Sequence, residues 1–560
     1  KPAIGINRFK WPILLILVVW VSFGIYPALA HDDHPAVNPG HALSINPDWK
    51  NLGITWRVSV ASDGTEGNGF SYSDNAISSD GRYVVFSASS YNLVPDDAQY
   101  GFEDVFLHDN QAKTTERVSV SSAGVAGNEA SYYGMDVSAD GRYVVFASKA
   151  SNLIASDTNA KWDIFLRDRQ AGTTARVSVS STGTQSNGNS WQPRISDDGS
   201  VIVYTSDASN LVTGDTNSKW DIFACDRSTL QVERISVSSD EVQANGHSGD
   251  YSNPAISSDG RYVAFTSEAT NLVPDDTNTF CDMNYDGTPA ENCPDVFVRD
   301  RTLGTTERVS VSSEEVQGNQ FSIMPDISDD GRYVVFNSAA SNLVANDTNA
   351  CESLWYGSTS CPDVFVRDRT GGTTERVSVS SSGTQSTKSS MNINRKPPAI
   401  SGDGNIVVFE SDDTTLAEGA TNGYSQLLAH DRLTHLTTLV SANTYRWQGD
   451  SWSSCPPDIS SDGRYISFPS SASNLVIDDA NSLQDIFVRD RTGWTYAVAG
   501  TVRDGVGNPV SGINVGYGSK IGENDVTDSN GEYELYYMPT GEYHIRVRTS
   551  GWLSIPGERV

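Results

Sequence analysis

A ten-residue phrase, Ile-Ser-x-Asp-Gly-Arg-Tyr-Val-Val-Phe, recurs in variant form seven times and constrains the fold more than any other feature. The copies stand about 60 to 70 residues apart. They begin at Ile77, Val137, Ile195, Ile256, Ile327, Ile400 and Ile459. In each copy an Asp-Gly pair separates two short strand-like runs, and this pair favours a tight hairpin turn because glycine adopts positive φ freely. The chain is therefore a repeat array.

Each repeat contains four predicted strands. In the fifth repeat they span residues 326–328, 332–337, 363–369 and 375–379. The second and third are nearly continuous apolar runs, as expected of strands that are covered on both faces. Four-stranded units of this kind pack face to face around an axis in a β-propeller. The sequence therefore predicts an all-β protein in which each repeat is one blade.

The two ends of the array predict how it closes. The fourth-strand phrase Arg-Val-Ser-Val stands at residues 57–60, before the first hairpin, whereas the seventh repeat has no clear fourth strand after residues 485–491. We therefore predict a seven-bladed ring in which residues 57–60 complete the last blade. Such closure removes the exposed strand edges that would otherwise pair with other chains.

The hairpin phrase, followed in each repeat by a version of Asp-Ile-Phe-Val-Arg-Asp, resembles the WD-repeat-like blades of TolB-type propellers. The resemblance covers residues 56–493 and implies a seven-bladed propeller. Two departures limit what it implies about function. The residues before 56 are too few for the N-terminal α/β domain of TolB, and the Gly-x-Ser-x-Gly motif of related propeller hydrolases does not occur.

The N-terminal segment is typical of a secretory signal. Arg8 and Lys10 precede an apolar run, and residues 28–30 (Ala-Leu-Ala) match a cleavage site. We assign residues 1–30 to a signal peptide and residues 31–55 to a disordered leader. The alternative is an uncleaved membrane anchor, because the apolar run approaches spanning length.

The C-terminal region has a different composition from the repeats. Residues 498–502 (Val-Ala-Gly-Thr-Val), 507–513 (Gly-Asn-Pro-Val-Ser-Gly-Ile) and 527–533 (Thr-Asp-Ser-Asn-Gly-Glu-Tyr) form a regular series of strand and turn motifs. Their order and spacing resemble a carboxypeptidase regulatory-like domain. For residues 497–560 this resemblance implies a prealbumin-like β-sandwich, apparently incomplete, that acts as a spacer or binding module without catalysis.

Net charge restricts the partners. The 560-residue chain carries a formal charge of −31, whereas nucleic-acid phosphates require clustered lysine and arginine, so nucleic acid is not expected. An acidic chain with a signal segment suits a secreted, extracellular or cell-surface setting, or the periplasm of a Gram-negative host. Contact with a membrane is expected only if the signal segment stays uncleaved.

The cysteines fit an oxidising compartment. Cys281 and Cys293 bracket one loop, and Cys351 and Cys361 bracket the next, so we predict two local disulfides. Two further cysteines have no near partner in sequence and are expected to stay reduced. They are Cys225 and Cys455.

One aspartate recurs at the end of every third strand, and recurrence in all blades indicates a structural role. These residues are Asp109, Asp168, Asp226, Asp300, Asp368, Asp431 and Asp490. Arginine usually follows them, so we predict repeated carboxylate–guanidinium hydrogen bonds inside each blade. The preceding position is usually arginine as well. His108, Cys225 and His430 replace it and are therefore poor catalytic candidates.

Loops on one face of a propeller are short and uniform here, whereas loops on the other are long and variable, and binding usually resides in the variable set. On that face the blade-to-blade loops share an aromatic position. Its members are Tyr72, Tyr132, Trp191, Tyr251 and Trp452, with Ile323 and Met391 as non-aromatic variants. If they ring the channel mouth, they form a stacking platform for a sugar or peptide. The alternative is that they wedge between blades.

A candidate metal site lies in the second-to-third loop of blade four. Asp282, Asn284 and Asp286 alternate before Gly287, which matches the first half of a calcium-binding loop. Position twelve of that loop is Cys293 rather than glutamate. The remaining ligands would come from Glu291, Asp295 or Asp275. The alternative is a simple turn in which these side chains bond their own backbone.

The sequence favours binding over catalysis. No Ser-His-Asp, zinc-binding or phosphate-loop pattern occurs, and His247 is the one propeller histidine on the variable face. We predict a binding or scaffolding protein that recognises a protein or glycan partner. The alternatives are a calcium-dependent lyase or glycosidase, and an accessory region of a longer surface protein. Clustering of His247 with carboxylates would favour the enzyme.

Overall fold

The computed structural model describes two compact units. The first, Thr55–Arg491, contains the repeats, and the second is formed by the residues before and after it. The residues described are 53–95, 102–249, 253–278, 292–349, 361–388, 390, 397–444, 446–453, 456–477, 479–492, 496–501, 508–512, 514–516, 524–527, 529–530, 532–538, 546–549 and 551–553. The predicted signal peptide and nearly all of the predicted leader lie outside them.

The repeats form seven antiparallel sheets of four strands, one for each blade. The first strands are β2 (Ser71–Ile77), β6 (Ser131–Val137), β10 (Ser190–Ile195), β14 (Ala255–Ile256), β18 (Ser322–Ile327), β22 (Ala399–Ile400) and β26 (Asp458–Ile459). Each contacts the first strands of the two neighbouring blades, so these seven strands surround the axis in a closed ring. The predicted seven-bladed propeller is confirmed.

The second and third strands form the body of each blade. The second strands are β3 (Tyr83–Ala88), β7 (Tyr143–Ser148), β11 (Val201–Ser206), β15 (Tyr262–Ser267), β19 (Tyr333–Ser338), β23 (Ile406–Ser411) and β27 (Tyr465–Ser470). The third strands are β4 (Asp104–Asp109), β8 (Asp163–Asp168), β12 (Asp221–Asp226), β16 (Asp295–Asp300), β20 (Asp363–Asp368), β24 (Gln426–Asp431) and β28 (Asp485–Asp490). Their apolar side chains are fully buried between neighbouring blades, as the continuous apolar runs predicted.

The fourth strands lie at the outer edge, and the first strand of the chain is one of them. They are β5 (Thr114–Arg117), β9 (Thr173–Arg176), β13 (Val232–Arg234), β17 (Thr305–Arg308), β21 (Thr373–Arg376), β25 (Leu436–Leu439) and β1 (Ile54–Arg57). Strand β1 pairs with β28 and completes blade seven. Ring closure by the N-terminal strand is therefore confirmed.

The boundary predicted for the fourth strand was wrong. The strand ends at the arginine of the Arg-Val-Ser-Val phrase instead of beginning there. The serine explains the early end. In blade seven the Ser59 hydroxyl donates to Asp485 Oδ1 (2.6 Å), and Ser59 Oγ accepts the N–H of Ile486 (3.1 Å). A side chain thus takes the place of the backbone ladder at this point.

The Asp-Gly turn is also longer than the tight turn expected from the sequence. In blade one it is closed by the Ser78 N–H, which donates to the Tyr83 carbonyl at 2.9 Å. Within the turn, positive φ falls on Gly81 alone, at +75°. The Asp80 carboxylate accepts the Ser78 hydroxyl (2.7 Å) and the Arg82 N–H (2.9 Å), which fixes the loop from inside.

The unit after the propeller contains two sheets. One pairs β29 (Tyr496–Thr501) with β32 (Glu532–Met538). The other has the order β31 (Asn524–Val526), β30 (Asn514–Gly516), β33 (Arg546–Thr549) and β34 (Gly551–Leu553). The region is thus built of strands, and the prealbumin-like sandwich stays a prediction.

Candidate functional site

We call the end of the propeller that carries the Asp-Gly turns the constant face and the opposite end the variable face. On the constant face, the third-strand aspartate pairs with the turn arginine. In blade two, Arg142 donates from Nε to Asp168 Oδ1 (3.0 Å) and from Nη2 to Oδ2 (2.8 Å). Equivalent pairs are Arg82–Asp109, Arg261–Asp300, Arg332–Asp368 and Arg464–Asp490. Carboxylate–guanidinium bonds inside the blade are thus confirmed in five blades, but the partner is the turn arginine rather than the arginine that follows the aspartate. Blades three and six have Ser200 and Asn405 at the turn position.

The residues that replace a framework arginine take over its position. Arg167 donates to Thr174 Oγ1 at 3.2 Å, and in the equivalent place His108 Nδ1 lies 2.9 Å from Thr115 Oγ1. Burial lowers the pKa of His108 to about 4. Cys225 is a buried free cysteine in the same position. The prediction that these residues belong to the framework is confirmed.

Hydrogen bonds cross the axis at the constant face. The Ser79 hydroxyl of blade one donates to Asp197 Oδ1 of blade three (2.7 Å), and Ser258 of blade four donates to Oδ2 (2.8 Å). Ser461 of blade seven donates to Asp329 of blade five. The Ser79 and Ser461 bonds join blades that are not neighbours, so this end of the channel is bridged by side chains.

Three aspartates line the channel above this bridge and join pairs of blades. Asp136 Oδ2 accepts the N–H of Ile195 in the next blade (2.9 Å), while its Oδ1 accepts the N–H of Val137 (2.8 Å). Asp326 and Asp458 accept the equivalent N–H groups of the following blades, from Ile400 (2.9 Å) and Ile77 (2.7 Å). A strand edge that faces the channel leaves such N–H groups without a ladder partner, so these carboxylates supply it.

The channel aspartates share one electrostatic environment. Burial raises the pKa of Asp136 to about 7, and of Asp326 and Asp458 to about 6, while Arg194 lowers all three in part. Arg194 occupies the equivalent place in blade three, and its Nη1 donates to the Met135 carbonyl at 3.0 Å. Because every carboxylate already accepts backbone N–H groups, we assign these residues to the ring framework.

Aromatic side chains cover one side of the variable face. The Tyr72 and Tyr132 rings stack at 6.0 Å across blades one and two. Tyr132 and Tyr133 each meet Trp162 edge to face, at 5.1 and 4.9 Å. In blade three Trp191 and Trp220 stack at 4.4 Å with 7° between their planes. We call the set comprising Tyr72, Tyr132, Tyr133, Trp162, Trp191 and Trp220 the aromatic arc.

Each blade contributes to the arc in the same way. A residue at the start of the first strand meets the residue just before the third strand. In blade one this pair is a hydrogen bond, from the Tyr72 hydroxyl to Glu103 Oε1 (2.8 Å). Blades are linked there too, since the Ser190 N–H donates to the Trp162 carbonyl (2.8 Å), which places Trp191 beside blade two.

Among the described residues, the aromatic arc extends over blades one to three, and the ring that the sequence suggested stays a prediction. Ile323 of blade five is fully buried. Trp452 meets Tyr424 edge to face at 6.3 Å and is 64% exposed. Tyr251 and Met391 lie outside the described residues. The ligand-binding role of Tyr72, Tyr132, Trp191 and Trp452 stays a prediction.

Three residues that the sequence analysis did not single out for the variable face belong to this site: Trp162, Trp220 and Tyr133. The tryptophans stand just before a third-strand aspartate, in a Lys-Trp-Asp phrase at 161–163 and 219–221 that no other repeat carries. That restriction to two copies was the signal available in the sequence. His247 lies beside the second copy. Its Nδ1 accepts the Trp220 N–H (3.3 Å), and its Nε2 is 3.4 Å from Lys219 Nζ.

The predicted calcium ligands Asp282, Asn284, Asp286 and Glu291 lie outside the described residues. Asp295 is described and belongs to a repeated contact within the blade. Its Oδ1 accepts the Ser310 hydroxyl (2.6 Å), and its Oδ2 accepts from Gln317 (2.8 Å) and lies 3.6 Å from Arg308. Burial raises its pKa to about 7. The calcium site stays a prediction.

One group of described carboxylates has metal-ligand spacing, namely Glu66, Asp479 and Asp485. Arg57 lies among them, with Nη1 at 3.2 Å from Asp485 Oδ2 and 3.9 Å from Asp479 Oδ1, and it also bonds Glu66. The cluster is the blade-seven version of a contact present in most blades. A guanidinium therefore already occupies the place of a cation in this group.

In blade six all members of this contact are replaced together. Where the other blades carry the arginine and the two aspartates, blade six has Leu439, Ala420 and Gln426. Leu439 packs against the apolar cluster of that blade. The charges are thus lost together, as expected when removal of one partner would leave the others buried without compensation.

Both predicted disulfides have one member outside the described residues. Cys293 and Cys361 are buried, whereas Cys281 and Cys351 are not described, so the pairings stay predictions. Cys225 is free and buried as expected, and Cys455 is not described. Within the described part of the chain, no helix has the length and apolar character needed to cross a membrane.

No family model matches the chain, and no curated protein matches it either. Solved structures to which it is similar include TolB from Acinetobacter baumannii, at 15% identity and a TM-score of 0.34, covering 60% of this chain and 58% of TolB. This chain thus aligns with little more than half of the TolB length.

Two oligogalacturonate lyases are also similar. The Vibrio parahaemolyticus protein is 11% identical with a TM-score of 0.44, covering 78% of this chain and 96% of the lyase. A lyase in complex with manganese is 12% identical with a TM-score of 0.46, covering 79% and 96%. Scores this low support no inference about function, and the propeller fold stands on the strand order described above.

Proposed function

We propose that this chain is a secreted or cell-surface binding protein that recognises a protein or glycan partner through the aromatic arc and has no catalytic activity of its own. The observation that carries the proposal is the clustering of aromatic rings on blades one to three, where Tyr72, Tyr132, Tyr133 and Trp162 are in ring contact and Trp191 stacks on Trp220. Blades four and five have Pro294 and Pro362 where blades two and three have tryptophan. A feature confined to part of a repeat array reflects a demand other than folding.

Aromatic rings in this arrangement suit a ligand with flat apolar faces. Tyr133 is 45% exposed, although its neighbours Tyr132 and Trp162 are partly covered. Rings that present one face to solvent and pack by the other are preorganised, so little conformational entropy is lost on binding. Tyr72 and Glu103 add hydrogen-bonding groups at one end of the row.

The surroundings of His247 favour binding over catalysis. Its described hydrogen-bonding neighbours are the Trp220 N–H and Lys219 Nζ. A general acid or base would be expected beside a carboxylate that orients it. A calcium-dependent lyase or glycosidase remains the second candidate function, since the predicted calcium loop at 282–286 lies outside the described residues. The third is an accessory region of a longer surface protein, which sequencing of the complete open reading frame would test.

A glycan and peptide array with the purified chain tests the proposal. The variant Trp191→Ala/Trp220→Ala should weaken binding of any retained ligand about tenfold or more, because both stacking rings are removed. The matched control is Leu303→Ala, which removes an exposed apolar side chain from a constant-face turn and should leave binding unchanged. Binding that survives loss of both tryptophans would place the site elsewhere on the molecule.

A further inference from the structure

Two described lysines of the propeller have neither an acidic partner nor an aromatic ring beneath the ammonium group. Among its described lysines, Lys149 pairs with Glu129 (3.3 Å), Lys388 pairs with Asp412 (3.4 Å), and Lys113 lies over the Trp56 ring (5.6 Å). Lys161 and Lys219 have no carboxylate within 4.0 Å among the described residues. In a chain with a net charge of −31, two ammonium groups without acidic partners require an explanation.

The repeats provide the comparison that the explanation needs. Lys161 and Lys219 directly precede Trp162 and Trp220, and both residues of each pair are partly exposed. The equivalent pairs in the other blades contain no cation. They are Phe102-Glu103, Cys293-Pro294, Cys361-Pro362, Tyr424-Ser425 and Leu483-Gln484. Lysine therefore occurs at this position only where tryptophan follows, which ties the two residue types to one task.

His247 lies beside the second of these lysines. Its Nε2 lies 3.4 Å from Lys219 Nζ, and its Nδ1 accepts the Trp220 N–H. The first-strand loops of other blades place Phe70, Ala130 and Asn189 at this position. The end of the aromatic arc at blade three thus carries a lysine and a histidine, whereas the blade-one end carries Glu103.

We propose that the aromatic arc binds an acidic glycan, with sugar faces stacked on the tryptophans and sugar carboxylates paired with Lys161 and Lys219. This inference rests on the proposed binding function and names its ligand class. Two Lys-Trp units in successive blades match a ligand in which a flat ring and a carboxylate alternate, as in a chain of uronic acids.

An acidic peptide would pair with the lysines but would leave the aromatic rings without a stacking partner. Glutamate and aspartate side chains bring charge but no flat apolar face, and three blades of aromatic rings would then stack on nothing. A uronate carries both features in one unit, because its C–H face is apolar and its carboxylate projects from the ring edge. Charge-assisted hydrogen bonds from lysine to that carboxylate would then select acidic over neutral sugars.

The test uses the full chain, alginate oligosaccharides and the same oligosaccharides after reduction of their carboxyl groups to alcohols. Calorimetry should show that alginate binds at least about tenfold more tightly than its reduced form, with affinity that falls as salt rises. Lys161→Gln/Lys219→Gln should remove that preference while keeping affinity for the reduced form. Lys149→Gln, which removes a paired lysine, should behave as wild type.

The outcomes separate this inference from the proposed function. Equal binding of both oligosaccharides, unaffected by the lysine variant and lost in Trp191→Ala/Trp220→Ala, overturns the acidic ligand but supports the binding site. If oligoglutamate binds with the same affinity as alginate and the tryptophans make no contribution, the proposal of a glycan ligand is also overturned. If neither oligosaccharide binds at millimolar concentration, the acidic glycan is rejected, and the glycan and peptide array still decides the proposed function.

Discussion

The two faces of the propeller are built on opposite plans. On the constant face, all seven blades meet the next through the same contact, in which the turn glycine lies against the residue that begins the second strand of the preceding blade. A Cβ on Gly141 would lie 2.2 Å from Tyr83 Cδ2, and one on Gly331 would lie 2.2 Å from Tyr262 Cδ2. On the variable face, by contrast, a tryptophan stands just before the third strand in blades two and three and in no other blade.

The contrast shows how a repeat chain separates stability from recognition. Contacts that close a ring must recur, because one faulty junction opens it for all blades. Contacts that bind a ligand need occur only where the ligand lies. Tyr83 illustrates the first kind, since it is covered by the guanidinium of Arg82 (4.7 Å) and by that of Arg169 from the next blade (5.1 Å). Variants at the two faces should therefore affect different measurements.

Removal of strand β1 should have the largest effect on the constant framework. Deleting residues 54–60 removes the outer strand of blade seven and its bonds across the closure, including Val58 N–H to the Ile486 carbonyl (2.9 Å) and Thr55 Oγ1 to the Ala442 carbonyl (2.6 Å). We expect the free energy of unfolding to fall by more than about 5 kcal/mol, with loss of a single cooperative transition in urea.

The control is a deletion of residues 31–50, which ends before the closing strand. This deletion should leave the urea midpoint of unfolding equal, within experimental error, to that of the full chain. If both deletions unfold at the same urea concentration as the full chain, the N-terminal strand does not close the ring.

Substitution of a turn glycine at the constant-face junction should cause the next largest loss of unfolding free energy. Gly331→Ala places a methyl group 2.2 Å from the Tyr262 ring at φ +69°, so we expect a loss of about 2 to 4 kcal/mol. Gly383→Ala is matched, because its φ is +78° and nothing lies within 4 Å of its Cβ. It should cost only the strain of positive φ, about 1 kcal/mol. Equal losses in urea denaturation would mean that the junction contact does not matter.

Much of this framework could be predicted from the sequence. Seven Asp-Gly phrases fix the number of blades, and the early Arg-Val-Ser-Val predicts closure. The strand boundary could not be predicted, because it depends on the Ser59 hydroxyl meeting Asp485, a residue about 430 positions away in the chain. The inter-blade role of the turn glycine was missed for the same reason, since a turn signal describes only the local backbone.

The candidate site was predicted in part. Tyr72, Tyr132 and Trp191 could be identified from the sequence, because the phrase that contains them recurs at a fixed offset from each hairpin. Trp162 and Trp220 belong to another part of the repeat, and only the fold brings the two parts together across the end of the second strand. A local pattern gave half of each pair, and comparison between copies would have given the other half.

Asp136, which lies in the channel between the faces, should affect stability through pH. Its pKa is about 7 in the folded chain against an ordinary value of 3.8, so the protonated form favours folding. Its contribution is complete below about pH 4 and is lost as pH rises through 7. Asp136→Asn should reduce the fall in unfolding free energy between pH 4 and 7 by about 1 to 3 kcal/mol, measured by urea titration.

Asp109→Asn provides a control of opposite sign. The Asp109 pKa is lowered to about 2, with Arg82 and turn N–H groups opposing the effect of burial. Its stabilisation is therefore present above about pH 4 and is lost only as pH falls toward 2. This variant should be destabilised by a constant amount between pH 4 and 7. If Asp136→Asn shows the same flat offset, the channel aspartate does not titrate in this range.

The smallest effect on stability is expected at the variable face, and blade two offers a matched pair of tyrosines. Tyr133 in the aromatic arc is 45% exposed, so Tyr133→Ala should change the free energy of unfolding by less than about 1 kcal/mol. Tyr143 begins the second strand of the same blade, is 6% exposed and lies beneath the Arg227 guanidinium at 4.1 Å. Tyr143→Ala should cost about 3 to 5 kcal/mol, because it leaves a cavity at a blade junction.

Ligand affinity should respond in the reverse order, falling in Tyr133→Ala and staying unchanged in folded Tyr143→Ala. Two variants with the same ratio of stability loss to affinity loss would show that the faces do not divide these tasks.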